Sequence, residues 1–466
     1  MFKSATITIF LVLALVVGAW LYLARSQRPP DLILITIDTL RADHMGLYGY
    51  ERETTPNIDA WFARGMVFDQ SYATESSTSP SVISLLSGFY PQEHRVRFHY
   101  QLVPEETELL PELLPPEYQS AGFVSNIVLT DEAMGISSRF DHYDDFVDEQ
   151  EPQRPIFERS AGRTTDAVLQ WLASRRDPER PLFLWVHYID PHGPYRPPED
   201  WEHTFVHDQP TPIDINRIPH WQQDPGVDDG LAYVDGYDEE IRYVDSEVGR
   251  LLKGLAAWID IDRAFFVFTS DHGESMMEHE KWFTHSYHVY EEVARVPLMI
   301  RGPRVKATRR SDLVSGIDIP PTLLELAGAP PTKAHEMPGI DLLGEPAPPT
   351  RILFTAGTDG LTQQRAAIEG TRKWIAKVQK DRNISVRFAF DLGRDPKELR
   401  PLGWSDLIGE ARSPAPEMLE DRIVTDPDPG GLPVEYAEGE RLSGPKVAPG
   451  LDEETLEKLR SLGYVN

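Results

Sequence analysis

The 466-residue chain contains no cysteine. Disulfides, thiolate zinc sites and cysteine nucleophiles are therefore excluded, although this absence does not fix the cellular compartment. Basic residues are scarce: 46 Lys and Arg stand against 75 Asp and Glu, which gives a formal net charge of −29. Such a surface repels phosphate backbones, so we expect no nucleic-acid partner. An anionic substrate would need a metal ion or a few well-placed basic side chains.

Long uncharged hydrophobic runs are also rare, and the most prominent one lies near the N-terminus. Residues 5–24 read ATITIFLVLALVVGAWLYLA and carry no charge. Twenty helical residues span ~30 Å, the thickness of a bilayer core. We therefore predict a membrane anchor within residues 1–30, with the remaining chain in the periplasm or at the cell surface. A cleaved signal peptide is the alternative, because Val17, Gly18 and Ala19 form a small-residue cleavage site.

Three apolar runs have the composition of buried parallel strands. Residues 31–38, 181–190 and 264–271 read DLILITID, PLFLWVHYID and AFFVFTSD. Continuous rather than alternating apolar character is typical of strands that are covered on both faces. Helical patterns at residues 165–175 and 237–258 lie between these runs. The alternation predicts an α/β fold in which helices cover a mixed, mostly parallel sheet.

The character of the sequence changes after about residue 330. We assign residues 31–330 to the main domain, and the strand-like segments ILFTA, KWIAKV and RFAFDL predict a smaller sheet within residues 331–410. Residues 411–466 are rich in Pro, Gly and acidic residues. They predict an irregular tail that ends in a docking helix at residues 451–462.

The three predicted strands of the main domain end in acidic or imidazole side chains. Asp38 closes the first strand, His192 follows the second, and Asp271 and His272 close the third. Because ligands bind outside the carboxyl ends of parallel strands, we expect these side chains to share a site. Two carboxylates and an imidazole suit a divalent cation. A turn role for Asp38 and a solvated loop position for His272 are the alternatives.

A segment rich in hydroxyl groups, ATESSTSPSVISLLSG, occupies residues 73–88. Pro80 suits the first turn of a helix and Ser79 suits its N-cap. Thr78 would then lie just ahead of a helix N-terminus, where free N–H groups attract anions. A hydroxyl acts as a nucleophile when a base or a metal lowers its pKa, and the cation predicted above would do this. A hydroxyl-rich helix cap without chemistry is the other interpretation.

Taken together, six segments resemble the landmark segments of the sulfatase family within the alkaline phosphatase superfamily. In chain order they are LILITIDTLRADHMGLYGYERETTPNIDAWFARGMVFDQSYA, TSPSVISLLSGFYPQEH, FLWVHYIDPHGPYRPP, FTSDHGESMMEHEKWFTHSYHVYEEVARVPLMI, SGIDIPPTLLELAGAP and FAFDLGRDPKELRPLG. The resemblance covers residues 31–402. It implies an alkaline phosphatase-like central sheet, a small C-terminal sheet, and metal-dependent attack on a sulfate or phosphate ester.

The chain departs from the sulfatase pattern at positions that matter for chemistry. Sulfatases carry Cys or Ser in a C/S-x-P-x-R motif and oxidise it to formylglycine, whereas Thr78 and Val82 stand at the first and last of those positions here. A Thr cannot yield that aldehyde, so we expect no formylglycine. The family's Asp-Asp pair is Asp38-Thr39, and its Gly-Lys-x-His segment has no counterpart near AGFVSNIVLTDEAMG. A Thr nucleophile resembles the phosphoglycerol and phosphoethanolamine transferase branch of the superfamily.

The resemblance and the residue pattern together predict a complete site. One divalent cation, which is calcium, manganese, magnesium or zinc, is held by Asp38, Thr78, Asp271 and His272. Thr78 is the predicted nucleophile. His192 is predicted to contact the transferred group or to protonate the leaving oxygen, and His285 matches the family position that contacts the same group.

Several further residues have competing interpretations. Arg41 either holds the acidic loop or forms a surface salt bridge. His94 matches a family position but also fits a structural role, and His187 lies mid-strand, where packing is expected. Weaker candidates for substrate contact are His279, Lys281 and His288.

The sequence therefore predicts a metal-dependent hydrolase of the sulfatase family, a sulfuric ester hydrolase that acts on a sulfate or phosphate ester. The expected partner is an anionic ester on a glycan, a lipid or a small molecule. One alternative is a phosphoglycerol- or phosphoethanolamine-type transferase of the cell envelope. Another is a non-catalytic, metal-stabilised binding domain that the N-terminal helix tethers to the membrane.

Overall fold

The computed structural model describes residues 28–147, 157–330, 336–358, 362–379, 383–408 and 413–426. The predicted membrane segment at residues 5–24 and the predicted docking helix at 451–462 lie outside these ranges. Within the described part of the chain, every helix is too short or too polar to span a bilayer.

An eight-stranded sheet forms the centre of the main domain. Its strands are β1 (Leu32–Ile37), β2 (Met66–Tyr72), β3 (Gln119–Val124), β4 (His142–Asp144), β5 (Leu182–Tyr188), β6 (Phe265–Ser270), β7 (Leu298–Arg301) and β8 (Thr308–Ser315). They lie in the order β4-β3-β5-β1-β6-β7-β2-β8. Strand β7 is antiparallel to both of its neighbours, and the other pairs are parallel. The predicted mixed, mostly parallel sheet is therefore confirmed.

Helices cover both faces of this sheet. They are α1 (Pro56–Phe62), α2 (Thr78–Ser87), α3 (Pro91–His94), α4 (Leu110–Leu113), α5 (Asp131–Met134), α6 (Ala161–Arg175), α7 (Gly230–Leu255), α8 (Glu291–Ala294) and α9 (Ile319–Ala327). Leu32 and Leu34 of β1 pack with apolar side chains of α2 and α9. Ile33 and Ile35 point the other way and pack with α6 and α7. Burial on both faces explains the uninterrupted apolar run in this strand.

The register of the three predicted strands brings their ends together. Ile37, the last residue of β1, lies beside Tyr188 of β5 and Ser270 of β6. The residues that follow these positions therefore leave the sheet at one edge, which places Asp38 and Asp271 next to each other.

The small C-terminal sheet is an antiparallel meander of four strands. These are β9 (Ile352–Thr358), β10 (Thr362–Glu369), β11 (Arg372–Gln379) and β12 (Ile384–Asp391), followed by α10 (Trp404–Ile408) and α11 (Ala415–Val424). The strand β10 was not among the predicted segments, because its polar first half hides its pairing with both neighbours.

The prediction of an irregular tail over residues 411–466 is wrong for residues 415–424, which form α11. Leu419 and Ile423, four residues apart on one helix face, pack with Trp374 of the small sheet. An apolar pair at this spacing is enough to dock a short helix, although the surrounding composition is that of a loop.

The small sheet is joined to the segment that precedes α2. Ala356 of β9 donates its backbone N–H to Thr74 and accepts the N–H of Ser76, at 3.0 and 2.9 Å. The C-terminal sheet therefore helps to fix the chain just before Thr78.

Candidate active site

Two carboxylates and an imidazole meet at the carboxyl edge of β1 and β6. His272 Nε2 lies 3.5 Å from Asp271 Oδ2 and 3.7 Å from Asp38 Oδ1. All three side chains are fully buried. The backbone N–H groups of His272 and Thr39 donate to Asp271 Oδ1, at 2.9 and 3.3 Å. The structure thus brings together the three residues that the sequence predicts as metal ligands and leaves one oxygen of each acid facing the others.

The chemistry of this cluster fits a divalent cation. Among the described residues, no hydrogen-bond donor reaches the buried oxygens Asp38 Oδ1 and Asp271 Oδ2. Together with His272 they can offer three ligand atoms within 4.8 Å of one another. Burial and the neighbouring charge of Asp38 raise the pKa of Asp271. Unpaired buried carboxylates are costly, and a cation would relieve that cost.

Thr78 is the first residue of α2 and is almost completely buried. Its Oγ1 lies 3.3 Å from His272 Nε2. The Nδ1 atom of His272 is 2.9 Å from the carbonyl oxygen of Gly273 and donates to it, so the lone pair is on Nε2 and faces Thr78. The predicted helix start needs correction: the N-cap position is Ser77, not Ser79, because Ser81 N–H already bonds to Ser77 O.

The two histidines that are predicted from the sequence to be catalytic lie beside this cluster. The ring of His285 lies 4.6 Å from that of His272 and 5.1 Å from that of His192, centre to centre. His192 Nδ1 donates to Gly193 O at 2.8 Å, and the described residues offer no partner for its buried Nε2. Burial lowers the pKa of His192. His192 is therefore neutral, and its Nε2 carries a lone pair that has no partner among the described residues.

His285 differs from His192 because it has a carboxylate partner. Its Nδ1 lies 3.2 Å from both oxygens of Glu274, which is fully buried. Burial by itself would lower the pKa of His285, but the charge and hydrogen bond of Glu274 outweigh it and raise the pKa. The imidazolium form of His285 is thus favoured, and its Nε2 is the nitrogen that can donate to a substrate.

Sequence reasoning missed two groups that hold Asp38. Asn126 Nδ2 donates to Asp38 Oδ2 at 2.6 Å, and His187 Nε2 lies 3.4 Å from the same oxygen. His187 also bonds to Thr36 Oγ1 at 2.9 Å, so the expectation that it packs within the sheet is correct but incomplete. Asn126 lies two residues beyond β3, and this position after a buried strand was the only sequence signal for it.

The remaining predicted side chains have structural contacts. Arg41 is buried and bonds to Glu278 Oε1 and to the carbonyl of Glu274, at 2.9 and 3.1 Å, so it holds the acidic loop. It also forms a two-pronged ion pair with the exposed Asp43, so the salt-bridge interpretation holds as well. His94 Nε2 lies 3.0 Å from Ser84 Oγ, which supports its structural interpretation. His279 stacks on Tyr290 with ring centres 3.8 Å apart. His288 is fully buried and its Nε2 lies 2.9 Å from Ser275 Oγ.

Comparison with known proteins finds sulfatases, both by sequence and by fold. A sequence model of the sulfatase family matches residues 30–329. An arylsulfatase of Clostridium perfringens is 25% identical over 451 residues, which cover 80% of this chain and 90% of the relative. An N-acetylglucosamine-6-O-sulfatase of Bacteroides thetaiotaomicron is 23% identical over 520 residues, covering 89% of this chain and 90% of the relative. The solved structure of a 2-O GAG sulfatase superposes with a TM-score of 0.68 at 18% identity, covering 92% of this chain and 98% of that one.

The chain belongs to the sulfatase family, within the alkaline phosphatase-like superfamily. This confirms the family predicted from the six sequence segments and the predicted enzyme class, sulfuric ester hydrolase. The family match spans Asp38, Thr78, His192, Asp271, His272 and His285.

Proposed function

We propose that this protein hydrolyses a sulfate ester and that Thr78 Oγ1 is the attacking atom. The observation that carries the proposal is the position of this hydroxyl, 3.3 Å from His272 Nε2 in the first turn of α2. Family membership supports sulfate as the transferred group. A relative named for N-acetylglucosamine-6-O-sulfate hydrolysis supports a sulfated sugar as the substrate class.

The metal site of the proposal consists of Asp38, Asp271 and His272, with Thr78 Oγ1 as a further oxygen ligand. A divalent cation at this place supplies positive charge, which lowers the pKa of a neighbouring hydroxyl and balances charge on the transferred oxygens. One ion is proposed, and magnesium, manganese, calcium and zinc all accept this donor set in part. The imidazole favours the other three over calcium, which prefers oxygen ligands.

The chain's own groups can carry the two steps of the reaction. Thr78 Oγ1 would attack sulfur as the alkoxide, its proton having passed to solvent because a cation at the site would lower the hydroxyl pKa. The bond from sulfur to the ester oxygen breaks, and His285 Nε2 gives a proton to the leaving alcohol. Water then attacks the sulfur of the threonyl sulfate, and Thr78 Oγ1 leaves as the alkoxide that began the cycle. His192 Nε2, with its free lone pair, takes the proton of that water. The N–H groups of the first turn of α2 hold the transferred oxygens.

The identity of residue 78 favours a second candidate function, phosphoryl transfer or hydrolysis. A Thr hydroxyl forms a covalent ester with either sulfur or phosphorus. It cannot be oxidised to the formylglycine aldehyde that sulfatases use. The phosphoglycerol- or phosphoethanolamine-type reaction therefore competes with sulfate hydrolysis at this same site. The two differ in the group left on Thr78 during turnover.

The proposal is tested by measuring turnover of an aryl sulfate, a phosphate monoester and a phosphate diester. Each substrate is assayed with added Mg²⁺, Mn²⁺, Ca²⁺ or Zn²⁺. Thr78→Ala is expected to abolish turnover, whereas Ser84→Ala, further along α2, is expected to retain it. Mass spectrometry of quenched enzyme distinguishes a sulfate from a phosphate adduct on Thr78. Full activity of Thr78→Ala would overturn the proposed nucleophile, and a formylglycine-like mass at residue 78 would overturn the chemistry.

We also propose that the enzyme works outside the cytoplasm and is held there by residues 5–24. The uncharged sequence of that segment supports this location. Cell fractionation should find the full chain in membranes and a variant without residues 1–27 in the soluble fraction. A mature N-terminus just after residue 19 would instead establish a cleaved signal peptide.

A further inference from the structure

An imidazole outside the metal cluster bridges the two residues that flank Thr78. His99 Nε2 lies 3.1 Å from Ser77 Oγ, and His99 Nδ1 lies 2.9 Å from Ser79 Oγ. The side chains of residues 77 and 79 are therefore tied to one ring, with Thr78 between them. His99 is close enough to the site for the charges of Asp38 and His272 to act on it.

The donor and the acceptor of each hydrogen bond in this bridge follow from the bond that Ser79 makes to Val128. Ser79 Oγ also lies 3.1 Å from the carbonyl oxygen of Val128, which can only accept, so the Ser79 hydroxyl donates there. Ser79 Oγ must then accept from His99 Nδ1–H. In the neutral ring the lone pair is on Nε2, which accepts from the Ser77 hydroxyl. Burial, with the charges of neighbouring imidazoles, lowers the pKa of His99 to about 3, which keeps the ring neutral.

The loop that carries His99 is itself fixed from the C-terminal side. Arg97 is buried and forms a two-pronged ion pair with Asp426, which follows α11. Arg365 of β10 pairs with the same carboxylate. The backbone N–H of Arg97 also donates to Gln101 Oε1 at 2.8 Å. These contacts restrict the loop, so the ring of His99 is a fixed support rather than a mobile contact.

We infer that His99 is a positioning residue that holds the first turn of α2 so that Thr78 Oγ1 stays directed at His272 and the two acids. The inference rests on the proposed role of Thr78 as nucleophile. Ser77 and Ser79 transmit the constraint through the backbone on either side of Thr78. Loss of the ring removes the link between Ser77 and Ser79 and leaves the attacking atom less well oriented, while the substrate-binding groups stay in place.

Steady-state kinetics of the full-length protein test this role. His99→Ala is expected to lower kcat by about 100-fold with KM nearly unchanged, the scale of a misplaced reacting atom. His99→Asn keeps a donor at the Nδ1 position for Ser79 and should recover a large part of kcat. The matched control is His94→Gln, because His94 is a buried imidazole that bonds to Ser84 of the same helix. It should leave kcat within a few-fold of the wild type.

A double-variant comparison separates positioning from a general loss of structure. If Ser77 acts through His99, Ser77→Ala combined with His99→Ala should lower kcat no further than His99→Ala alone. Equal losses in His99→Ala and His94→Gln, or a rise in KM alone, would overturn the inference. An additive loss in the double variant would also overturn it. Thr78→Ala measured in parallel distinguishes the two proposals. If Thr78→Ala stays active, the proposed function fails; if Thr78→Ala is inactive but His99→Ala keeps the wild-type kcat, only the role of His99 fails.

Discussion

Asn126 Nδ2 donates a 2.6 Å hydrogen bond to Asp38 Oδ2, although their strands β3 and β1 are separated by β5. This amide occupies one oxygen of Asp38 and leaves Oδ1 facing Asp271 and His272. Orientation of a ligand by a neighbouring hydrogen bond is a common feature of metal sites. The segment that follows a third strand, β3, therefore helps to orient Asp38 within the cluster.

Asn126→Ala is expected to weaken binding of the divalent cation by roughly 10- to 100-fold, because Asp38 loses the donor that orients it. The readout is the metal-dependent rise in Tm over a titration, which does not depend on turnover. Asn216→Ala, a change at an exposed residue of a short 3₁₀ helix, is the control and should bind as the wild type does. Identical titrations for both variants would contradict the role assigned to Asn126.

Asp271→Asn should remove the metal-dependent rise in Tm altogether, because a neutral amide replaces a buried anionic ligand. In metal-free protein the same change should raise Tm by about 2 °C, since one of two neighbouring buried carboxylates loses its charge. Differential scanning calorimetry with and without EDTA measures both effects. A lower Tm without metal would show that the charge of Asp271 is already compensated within the fold.

Glu274→Gln should move the alkaline limit of activity to lower pH. In the wild type Glu274 raises the pKa of His285, so the imidazolium persists as pH rises and is lost only when pH passes that raised pKa. Removing the carboxylate lowers this pKa, and the donor is lost earlier. The profile of kcat against pH records the shift.

Glu278→Gln is the matched control for this pH prediction. Glu278 lies on the same loop but pairs with Arg41 rather than with His285. An equal displacement of the alkaline limit in both variants would mean that general negative charge on the loop, and not the His285–Glu274 contact, sets the profile.

Lys373→Met should destabilise the fold by about 3–5 kcal/mol, the range for breaking a buried ion pair from one side. Lys373 is fully buried and its Nζ lies 3.0 Å from both Glu291 Oε1 and Glu398 Oε1. Removing the ammonium leaves two acids facing each other. Lys377→Met, on the same strand but less buried, should cost well under half as much in urea unfolding.

A triple variant tests the cause of that loss. If unpaired charge is responsible, adding Glu291→Gln and Glu398→Gln to Lys373→Met should recover most of the stability. A triple variant as unstable as Lys373→Met would instead assign the loss to packing.

The buried strands of the main sheet, and the acidic residues at their ends, were largely predicted from the sequence. Uninterrupted apolar runs ending at Asp38 and Asp271 predicted buried parallel strands, and parallel strands place their carboxyl ends at one edge, so the meeting of these acids followed. Conversely, β10 and α11 were missed. Their polar composition conceals a pairing and a docking face that depend on neighbours distant in the chain.

Local pattern alone thus determined which residues are available for chemistry: no thiol, a Thr just before Ser79 and Pro80, and acids and imidazoles at strand ends. Folding decided how each is held. Asn126 on Asp38, Glu274 on His285 and His99 across Ser77 and Ser79 are contacts between segments far apart or irregular in the chain. Periodicity describes which way a side chain faces along its own element, but hydrogen-bond partners and pKa shifts are set by whatever the tertiary fold packs against it.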